Sequence, residues 1–424
     1  MISYNLEYRG YLMDLFQLGL ILIPFDNLVF APSRGWATVS PIIFFIYIFI
    51  NIKNISFVLN LEKKALITAA FIAVYQAVLL CINGVAPGAL IDGLQTLVLG
   101  ISIYLSMVLR YNVYKKNINN DAEFLYKGYF ISFIYGIIRL IGMYGYNGLL
   151  SVFEFIEKRP YPRLAFSFTE PSFISMHVIG VMFLVTYLIS DEELRKKFLY
   201  LGFAFLGVSI LFRSSTRCIL DTGIFVFLLI CYRSVKNKRK LIINLCLIIA
   251  IVCAAVYMVN SIPRLNNIFV NGIYSDPSGV SRYARIKGIL YGFAEYPLKT
   301  FFGYGMGNMH VPFNAGYERI YEELQQHGAY MNEIIKMQNI QELDSLFCMP
   351  VKMISDFGLG IFVLALLSII IKSHKKLDVF VVMMTLYLYI QFDSYAFYSI
   401  WILLYIIKYY RADIHGISYF KQLS

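Results

Sequence analysis

The chain has 424 residues, of which 59% are hydrophobic and 15% are charged, and its formal net charge is +11. A soluble domain is usually about 45–50% apolar and about 25% charged, so this composition excludes a water-soluble globular fold. The lysines and arginines fall in short segments between long apolar runs. That distribution indicates membrane orientation and argues against a nucleic-acid partner. We therefore expect an all-α polytopic membrane protein.

About twelve apolar segments are candidates for membrane-spanning helices, each of which needs about 20 mostly apolar residues. An even number of spans predicts that both termini lie on the same side of the membrane. In chain order the candidates are residues 12–30, 38–52, 65–83, 87–109, 124–144, 170–190, 198–212, 214–232, 241–259, 349–371, 377–392 and 395–410.

The loops between these segments alternate in charge. Because basic loops stay in the cytoplasm, the alternation predicts that both termini are cytoplasmic. It also predicts that the two longer loops, residues 145–169 and 260–348, lie on the outer (periplasmic) side. The basic loops fall at residues 53–64, 110–116, 195–197, 233–240 and 372–376 and in the tail 408–421.

The larger outer loop lies between the ninth and tenth predicted helices, and loops of such length are usually functional or disordered. Helical spacing within residues 281–295 places Arg282 and Arg285 on one face and apolar residues on another. Residues 317–337 are predicted as a second helix. We expect one integrated domain in three parts: membrane helices in 1–259, the outer loop 260–348, and the last three membrane helices with a cytoplasmic tail in 349–424.

Charged residues inside predicted spans are costly in a bilayer and therefore mark candidate sites. Arg217 and Asp221 lie at i,i+4 near the outer end of the eighth span, where a helix-stabilising ion pair is one interpretation. The other interpretation is that Arg213 and Arg217 bind an anionic headgroup, because guanidinium groups hold phosphate oxygens in bidentate fashion. Arg139 lies in the middle of the fifth span and either faces a cavity or pairs with Asp92.

The string Thr169-Glu170-Pro171-Ser172-Phe173 enters the sixth span. Thr169 is a candidate helix cap, with Glu170 and Pro171 in the first turn. Glu170 is alternatively an acid–base residue at the mouth of a cavity. His177 follows two turns further along and is either a packed or an active histidine.

The basic helix of the outer loop leads into a glycine turn at residues 303–307, followed by Asn308. Glycines allow backbone N–H groups to approach a phosphate or a sugar closely. His310, His327 and Asp344 are the outer-side residues able to act as a general base near neutral pH. For each of them a solvated loop residue is the alternative interpretation.

Four of these features occur in a characteristic order: Pro24-Phe25, Glu170-Pro171-Ser172, the string ending at Arg217, and the loop that runs from Arg282 to the glycine turn. Together they resemble the superfamily of O-antigen polymerases (Wzy-type) and O-antigen ligases. These are polytopic membrane glycosyltransferases, and the resemblance implies a GT-C-like fold.

In that family, a polyprenyl-diphosphate-linked glycan donor rests its diphosphate on outer-face arginines, and a sugar hydroxyl attacks the anomeric carbon. The resemblance assigns Arg217 and Arg282 to the family's arginine positions, with Arg213, Arg285 and Asn308 as further substrate-binding candidates. Ligases carry a His-Asn pair near the end of the large loop, where this chain reads Leu-Asp-Ser-Leu at 343–346. The Arg-x(10)-Gly pattern of some polymerases is also absent.

The resemblance predicts a polymerase of undecaprenyl-diphosphate-linked repeat units of O-antigen, capsule or exopolysaccharide at the bacterial inner membrane. Two alternatives remain: a ligase that transfers the glycan to lipid A core, and a lipid-linked oligosaccharide flippase. Asp344, Glu170 and His327, in that order, are the candidate bases. No cofactor or metal is expected, since no nucleotide or metal motif occurs and the six cysteines include no C-x-x-C pair. Membrane lipid and a chain-length regulator are further candidate partners.

Overall fold

The structure, a computed structural model, describes residues 13–28, 38–145, 152–153, 155–158, 162–236, 260, 263–343, 346–373 and 379–409. Within these ranges the secondary structure is helical without a β-strand, and one isolated bridge joins Leu28 to Glu157. The predicted all-α class is therefore confirmed. The predicted span 241–259 and the candidate base Asp344 lie outside the described residues.

The helices before residue 260 correspond closely to the predicted apolar segments. Two of them contain π-helical turns, at Val108–Val113 after α5 and at Val178–Phe183 after α7. In chain order they are α1 (Leu15–Leu22), α2 (Val39–Ile50), α3 (Ile55–Leu61), α4 (Lys63–Asn83), α5 (Pro87–Met107), α6 (Ile118–Gly145), α7 (Ile174–His177), α8 (Glu192–Leu211) and α9 (Thr216–Lys236).

The helices after residue 260 begin with five that belong to the predicted outer loop, which we call the loop helices. They are α10 (Pro263–Asn271), α11 (Pro277–Glu295), α12 (Pro297–Phe302), α13 (His310–Gln326) and α14 (Asn332–Ile335). Four helices of the last predicted spans follow: α15 (Met349–Phe357), α16 (Leu359–Ser373), α17 (Val379–Ile390) and α18 (Tyr398–Tyr409).

Three described helices are long and apolar enough to cross a membrane: α4, α5 with its π-helical extension, and α6. Helix α2 and residues 52–61 pass the same test together but are bent by 69°, as in a broken span or a re-entrant loop. Shorter apolar helices lie at Pro171–Phe183, Leu359–Ser373, Phe380–Ile390 and Tyr398–Tyr409. Membrane-spanning character is thus supported, while the count of twelve spans and the GT-C-like fold stay predictions.

Two predicted helices are interrupted by glycines. The predicted span 349–371 breaks at Gly358 (φ +88°), where a Cβ would lie 2.4 Å from the Phe301 carbonyl oxygen. The predicted helix 317–337 was also wrong in its bounds. It begins earlier, at His310, and ends at Gln326 before Gly328, whose φ of +62° stops the helix.

The buried apolar residues form two clusters, one among the membrane helices and one among the loop helices and α15. In the second cluster, α11 and α13 approach closely because glycines face the neighbouring backbone. A Cβ at Gly292 would lie 1.9 Å from the Pro312 carbonyl oxygen, and one at Gly316 would lie 2.0 Å from the Gly288 carbonyl oxygen. The loop helices are therefore packed against one another around their own apolar cluster, which fixes the position of α11 and of Arg282 on it.

Candidate functional site

Arg217 lies in the first turn of α9 and is 13% exposed. Its Nε lies 3.7 Å from Asp221 Oδ2, and its Nη2 donates to the Gln391 carbonyl at 3.1 Å. The predicted ion pair with Asp221 is therefore present. The ion pair still leaves one hydrogen-bond donor of the guanidinium unused, because Nε has no hydrogen-bond partner among the described residues.

Asp221 is buried and accepts hydrogen bonds from three other side chains. Ser175 Oγ donates at 2.6 Å, Tyr387 OH at 2.8 Å and Gln391 Nε2 at 2.9 Å. These contacts fix the Asp221 carboxylate beside Arg217, and its acceptor capacity is largely occupied.

Arg282 lies close enough to Arg217 for its charge to act on that residue, although the two are far apart in sequence. Its guanidinium carbon lies 4.5 Å from the centroid of the Phe347 ring, and its Nε is buried without a hydrogen-bond partner among the described residues. The charges of Arg282 and Glu170 both act on Arg217. Arg217, Arg282 and Glu170 therefore lie together, and we call these three residues the arginine cluster.

Asp393, which the sequence analysis did not select, holds the segment that packs against Arg282. Its carboxylate accepts the backbone N–H of Leu346 at 2.8 Å and that of Phe347 at 3.3 Å. Phe347 has a φ of +56°, a backbone conformation that is costly for a bulky residue. Lys352 Nζ donates to the Asp393 carbonyl at 2.8 Å. An acidic residue between two apolar spans is the only sequence signal of this role.

Glu170 is the N-cap residue of a short 3-10 turn, Pro171–Phe173, and makes no side-chain cap hydrogen bond. The capping interpretation of Thr169 is therefore wrong. Thr169 is instead bonded to Asp26, whose carboxylate accepts the Thr169 N–H at 2.8 Å. The Glu170 carboxylate is half-buried and accepts from Ser172 Oγ at 3.1 Å, so it remains accessible for acid–base chemistry.

His177 is a packed histidine. It is fully buried and stacks on Phe168 with ring centroids 4.4 Å apart. Its Nε2 lies 3.4 Å from Asp26 Oδ2 and its Nδ1 lies 3.1 Å from Tyr129 OH. The same Asp26 carboxylate thus joins His177 to the segment that carries Glu170. Asp26 follows the Pro24-Phe25 motif, but no sequence pattern singles it out.

The glycine turn at residues 303–308, which we call the glycine seam, is a joint between the loop helices and the membrane helices. Gly303, Gly305 and Gly307 have φ values of +95°, +91° and +87°. Cβ atoms at Gly303 and Gly307 would lie 2.6 Å from the Gly358 nitrogen and 2.7 Å from the Leu90 nitrogen. The glycines are therefore required by close packing.

The backbone N–H groups of the seam are already engaged. The Met306 N–H donates to Gln76 Oε1 at 2.8 Å, and the Gly307 N–H donates to Asp356 Oδ1 at 3.3 Å. Asp356 is fully buried. The predicted phosphate-binding role of this turn is therefore not supported, because these two donors point at protein acceptors.

Asn308 belongs to the same joint. It is 1% exposed, and its Nδ2 donates to the carbonyls of Gly84 at 2.9 Å and Tyr304 at 3.0 Å. Its Oδ1, which has no hydrogen-bond partner among the described residues, is an acceptor. A diphosphate offers only acceptors at neutral pH, so the predicted role of Asn308 in diphosphate binding is unsupported by its geometry.

The other predicted site residues occupy different surroundings. Arg285 is half-buried on α11, and Arg213 (φ +47°) is exposed on the turn between α8 and α9, where it makes no side-chain hydrogen bond or ion pair with described residues. His327 is exposed, stacks on Tyr274 with centroids 4.4 Å apart, and has its Nδ1 2.7 Å from the Glu323 carbonyl. The structure thus brings His327 into contact with loop helices and not with the arginine cluster.

Two further residues considered from the sequence are accounted for by local contacts. Arg139 pairs with Glu157 at 2.9 Å, both 2% exposed, so its carboxylate partner is Glu157 and not Asp92. His310 begins α13, and burial lowers its pKa below the usual value, partly offset by the Gly307 carbonyl and by the charge of Glu342. Glu342 in turn accepts the Gly88 N–H at 2.8 Å in the first turn of α5.

The arginine cluster is suited to an anion. Two guanidinium groups converge there, and the N-terminus of α9 adds the positive end of a helix dipole. Asp221 is occupied by its hydrogen bonds, which leaves Glu170 as the accessible carboxylate of the cluster. Among the described residues, no group of three or more His, Cys, Asp or Glu side chains is arranged to hold a metal ion.

No protein-family model, curated protein or solved structure matches this chain. Its function is therefore argued from the site itself.

Proposed function

We propose that this protein is a glycosyltransferase that polymerises undecaprenyl-diphosphate-linked oligosaccharide repeat units on the outer face of the bacterial cytoplasmic membrane. Both termini are then cytoplasmic, as the alternation of basic loops predicts. The observation that carries the proposal is the proximity of Arg217 and Arg282, each with a buried Nε that lacks a hydrogen-bond partner among the described residues.

Two arginines fit the leaving group of this reaction. The bond between the anomeric carbon and the diphosphate oxygen breaks, an acceptor hydroxyl forms the new glycosidic bond, and the hydroxyl proton passes to a base. Negative charge grows on the diphosphate as its bond breaks. Arginines keep their charge and bind phosphate oxygens with paired N–H groups, so Arg217 and Arg282 stabilise that charge without a metal ion.

Glu170 is the described carboxylate best placed to take the proton. It lies within electrostatic range of Arg217 and is half-buried. Asp344 stays a candidate from its place in the sequence, close to Leu346 and Phe347. His327 is the weakest candidate, because its contacts are with Tyr274, in the turn between α10 and α11, and with Glu323 on α13.

The test is polymerisation by the purified protein, reconstituted in liposomes, with an undecaprenyl-diphosphate-linked repeat unit as donor and acceptor. Loss of one transition-state donor usually costs about 100- to 1,000-fold in rate, which is the loss we expect for Arg217→Ala and Arg282→Ala. Lysine should restore little at either position, because an ammonium lacks the bidentate geometry.

Arg319→Ala is the matched control, since Arg319 is an exposed arginine of α13 that packs over Tyr291. It should retain the wild-type rate. Polymer formation at the wild-type rate by Arg217→Ala would contradict the proposal and leave Arg217 as the ion-pair partner of Asp221. Transfer to lipid A core without any polymer would identify a ligase instead.

A further inference from the structure

The short helix α12, at the junction of the loop helices with the membrane helices, exposes a group of large apolar side chains. Leu298 is 72% exposed, and Phe301, Phe302 and the preceding Tyr296 are also exposed. Lys299 is the only charged residue of this helix. A contiguous apolar group of this kind usually marks an interaction surface with a protein or a membrane.

The neighbouring loop helix α13 exposes a polar surface instead. Its exposed residues suit contact with water, and they are Glu318, Arg319, Glu322, Gln325 and Gln326. Helices α12 and α13 therefore present surfaces of opposite character, although both belong to the same group of loop helices. The apolar surface of α12 needs a partner that the surface of α13 does not.

The exposed surface of α12 is continuous with that of α4. Helix α4 is a candidate membrane span with a mean hydropathy of 2.3, and only 6% of its apolar window is buried, as expected for a spanning helix that faces lipid. Tyr75 OH donates to the Phe302 carbonyl. The Tyr75 ring stacks on the exposed Phe71 ring with centroids 6.4 Å apart. The rings of α12 therefore extend the apolar surface of α4.

The contacts of α12 also place it below the end of α4. Tyr75 lies eight residues before α4 ends, which at 1.5 Å per residue is about 12 Å. From Phe302 the chain returns toward that end along the glycine seam. A Cβ at Gly305 would lie 3.2 Å from Leu80 Cδ2, and Asn308 donates to the carbonyl that follows α4. The C-terminal end of α12 is therefore the deepest point of a re-entrant segment.

The polar groups of this segment are compatible with a position inside a membrane. Non-helical backbone at membrane depth occurs only where it is buried in protein or lines a water-filled cavity. Residues 303–309 are non-helical and all of them are buried, whereas the exposed part of the segment is helical. Lys299 Nζ lies 5.7 Å from the centroid of the Tyr296 ring. Lysine and tyrosine are residue types that anchor a segment at the boundary between lipid and water.

We propose that α12 is inserted into one leaflet of the bilayer, where Leu298, Phe301 and Phe302 contact lipid acyl chains. Under the predicted topology this is the outer leaflet. The helix thus anchors the loop helices to the membrane through α11, which directly precedes it. The inference does not rest on the proposed function, because the anchor is the same whichever reaction the arginine cluster serves. A second copy of this chain is the competing occupant, and continuity with the surface of α4 favours lipid.

The first test identifies what touches α12. The full-length protein is reconstituted in phospholipid liposomes with the photo-crosslinking residue p-benzoylphenylalanine in place of Leu298. Illumination should give a phospholipid adduct, detected by mass spectrometry. The same residue in place of Gln325, on the polar surface of α13, is the matched control and should give none. Placed at the exposed Phe71 of α4, it should also give a lipid adduct, which verifies the chemistry.

The second test measures depth. Phe301→Trp and Gln325→Trp each add one tryptophan to the same native background, which the wild-type protein supplies for subtraction. Lipids brominated on their acyl chains should quench the added fluorescence of Phe301→Trp and leave that of Gln325→Trp unchanged.

Three results would overturn the insertion of α12. One is the absence of a lipid adduct at Leu298 in liposomes where Phe71 gives one. Another is a Leu298 adduct with a second copy of the chain in place of lipid, which would make this surface an interface between copies. The third is equal quenching of Phe301→Trp and Gln325→Trp. None of these results bears on polymerisation, so the proposed function is tested separately.

Discussion

The glycine seam and the arginine cluster are both places where the loop helices meet the membrane helices, and they differ in how completely their hydrogen-bond donors are used. In the seam, Met306, Gly307 and Asn308 donate to protein acceptors at 2.8–3.3 Å. In the cluster, Arg217 and Arg282 each retain a buried Nε without a hydrogen-bond partner among the described residues. Buried donors are usually satisfied, so the cluster and not the seam has the character of a binding site.

The largest expected effect is on the seam. Gly303→Ala places a Cβ 2.6 Å from the Gly358 nitrogen, at a φ of +95° and ψ of +165°. That backbone conformation alone costs a non-glycine residue about 1–3 kcal/mol, before the clash is counted. We expect little folded protein to accumulate, as measured by fluorescence-detection size-exclusion chromatography.

Gly207→Ala is the matched control, because Gly207 lies within α8 and its Cβ would meet nothing within 4 Å. Alanine there should be neutral or slightly stabilising. Normal accumulation of Gly303→Ala would mean that the seam is not the rigid joint described above.

The second-largest effect is expected at the segment that holds Arg282 of the arginine cluster in place. Asp393→Ala leaves the N–H groups of Leu346 and Phe347 without their acceptor. A charge-assisted hydrogen bond is worth about 1.5–3 kcal/mol, so we expect the Kd for undecaprenyl diphosphate to rise about 10- to 100-fold. Asp393→Asn keeps an acceptor oxygen and should recover most of the affinity. Unchanged binding by Asp393→Ala would show that the Phe347 segment does not position Arg282.

Asn308 distinguishes the two regions directly. Asn308→Ala removes the hydrogen bonds to Gly84 and Tyr304 and should lower the unfolding free energy by about 1–2 kcal/mol. Asn308→Asp should destabilise further, because its carboxylate would face two carbonyl oxygens. Neither change should alter the Kd for undecaprenyl diphosphate in the protein that folds. A loss of affinity without a loss of stability would show that Asn308 contributes to the binding site.

The smallest expected effect is on the pH dependence of stability, through His310, which follows the glycine seam. Burial lowers the pKa of His310, so the unfolded chain binds a proton more readily than the folded protein. Stability from this group is present above the ordinary histidine pKa of about 6.5 and is lost as the pH falls below it. Thermal unfolding between pH 7.5 and 5.5 should therefore show a decline that is weaker in His310→Gln. An identical decline in both proteins would show that groups other than His310 cause the loss of stability.

The sequence predicted the helical class and most helix positions, since apolar runs of that length and composition have few alternatives. It also selected Arg217 and Glu170, because a charge at the end of an apolar segment is conspicuous, and Arg282, which shares a face with Arg285 on a predicted loop helix. It did not separate the glycine seam from a phosphate-binding turn. Both require glycines at positive φ, and only the acceptors on Gln76 and Asp356 distinguish them.

The sequence could not predict hydrogen-bond and ion-pair partners that lie far apart in the chain. Asp393 acts on residues 346–347, and Asp26 joins Thr169 to His177. Each contact depends on how separate helices pack, and neither position carries a local pattern. Arg139 illustrates the same limit, because its partner Glu157 lies in a segment that the sequence describes only as a loop.

The central claim is that the guanidinium groups of Arg217 and Arg282 bind one diphosphate together. The direct measurement is the Kd of undecaprenyl diphosphate for the purified protein, for Arg217→Gln, for Arg282→Gln and for the double variant, with Arg319→Gln as control. Each single change should weaken binding at least about tenfold, corresponding to about 1.4 kcal/mol. The double change should cost less than the sum of the two, because both remove contacts to one ligand. Wild-type affinity in either single variant, or fully additive losses, would contradict a shared diphosphate site.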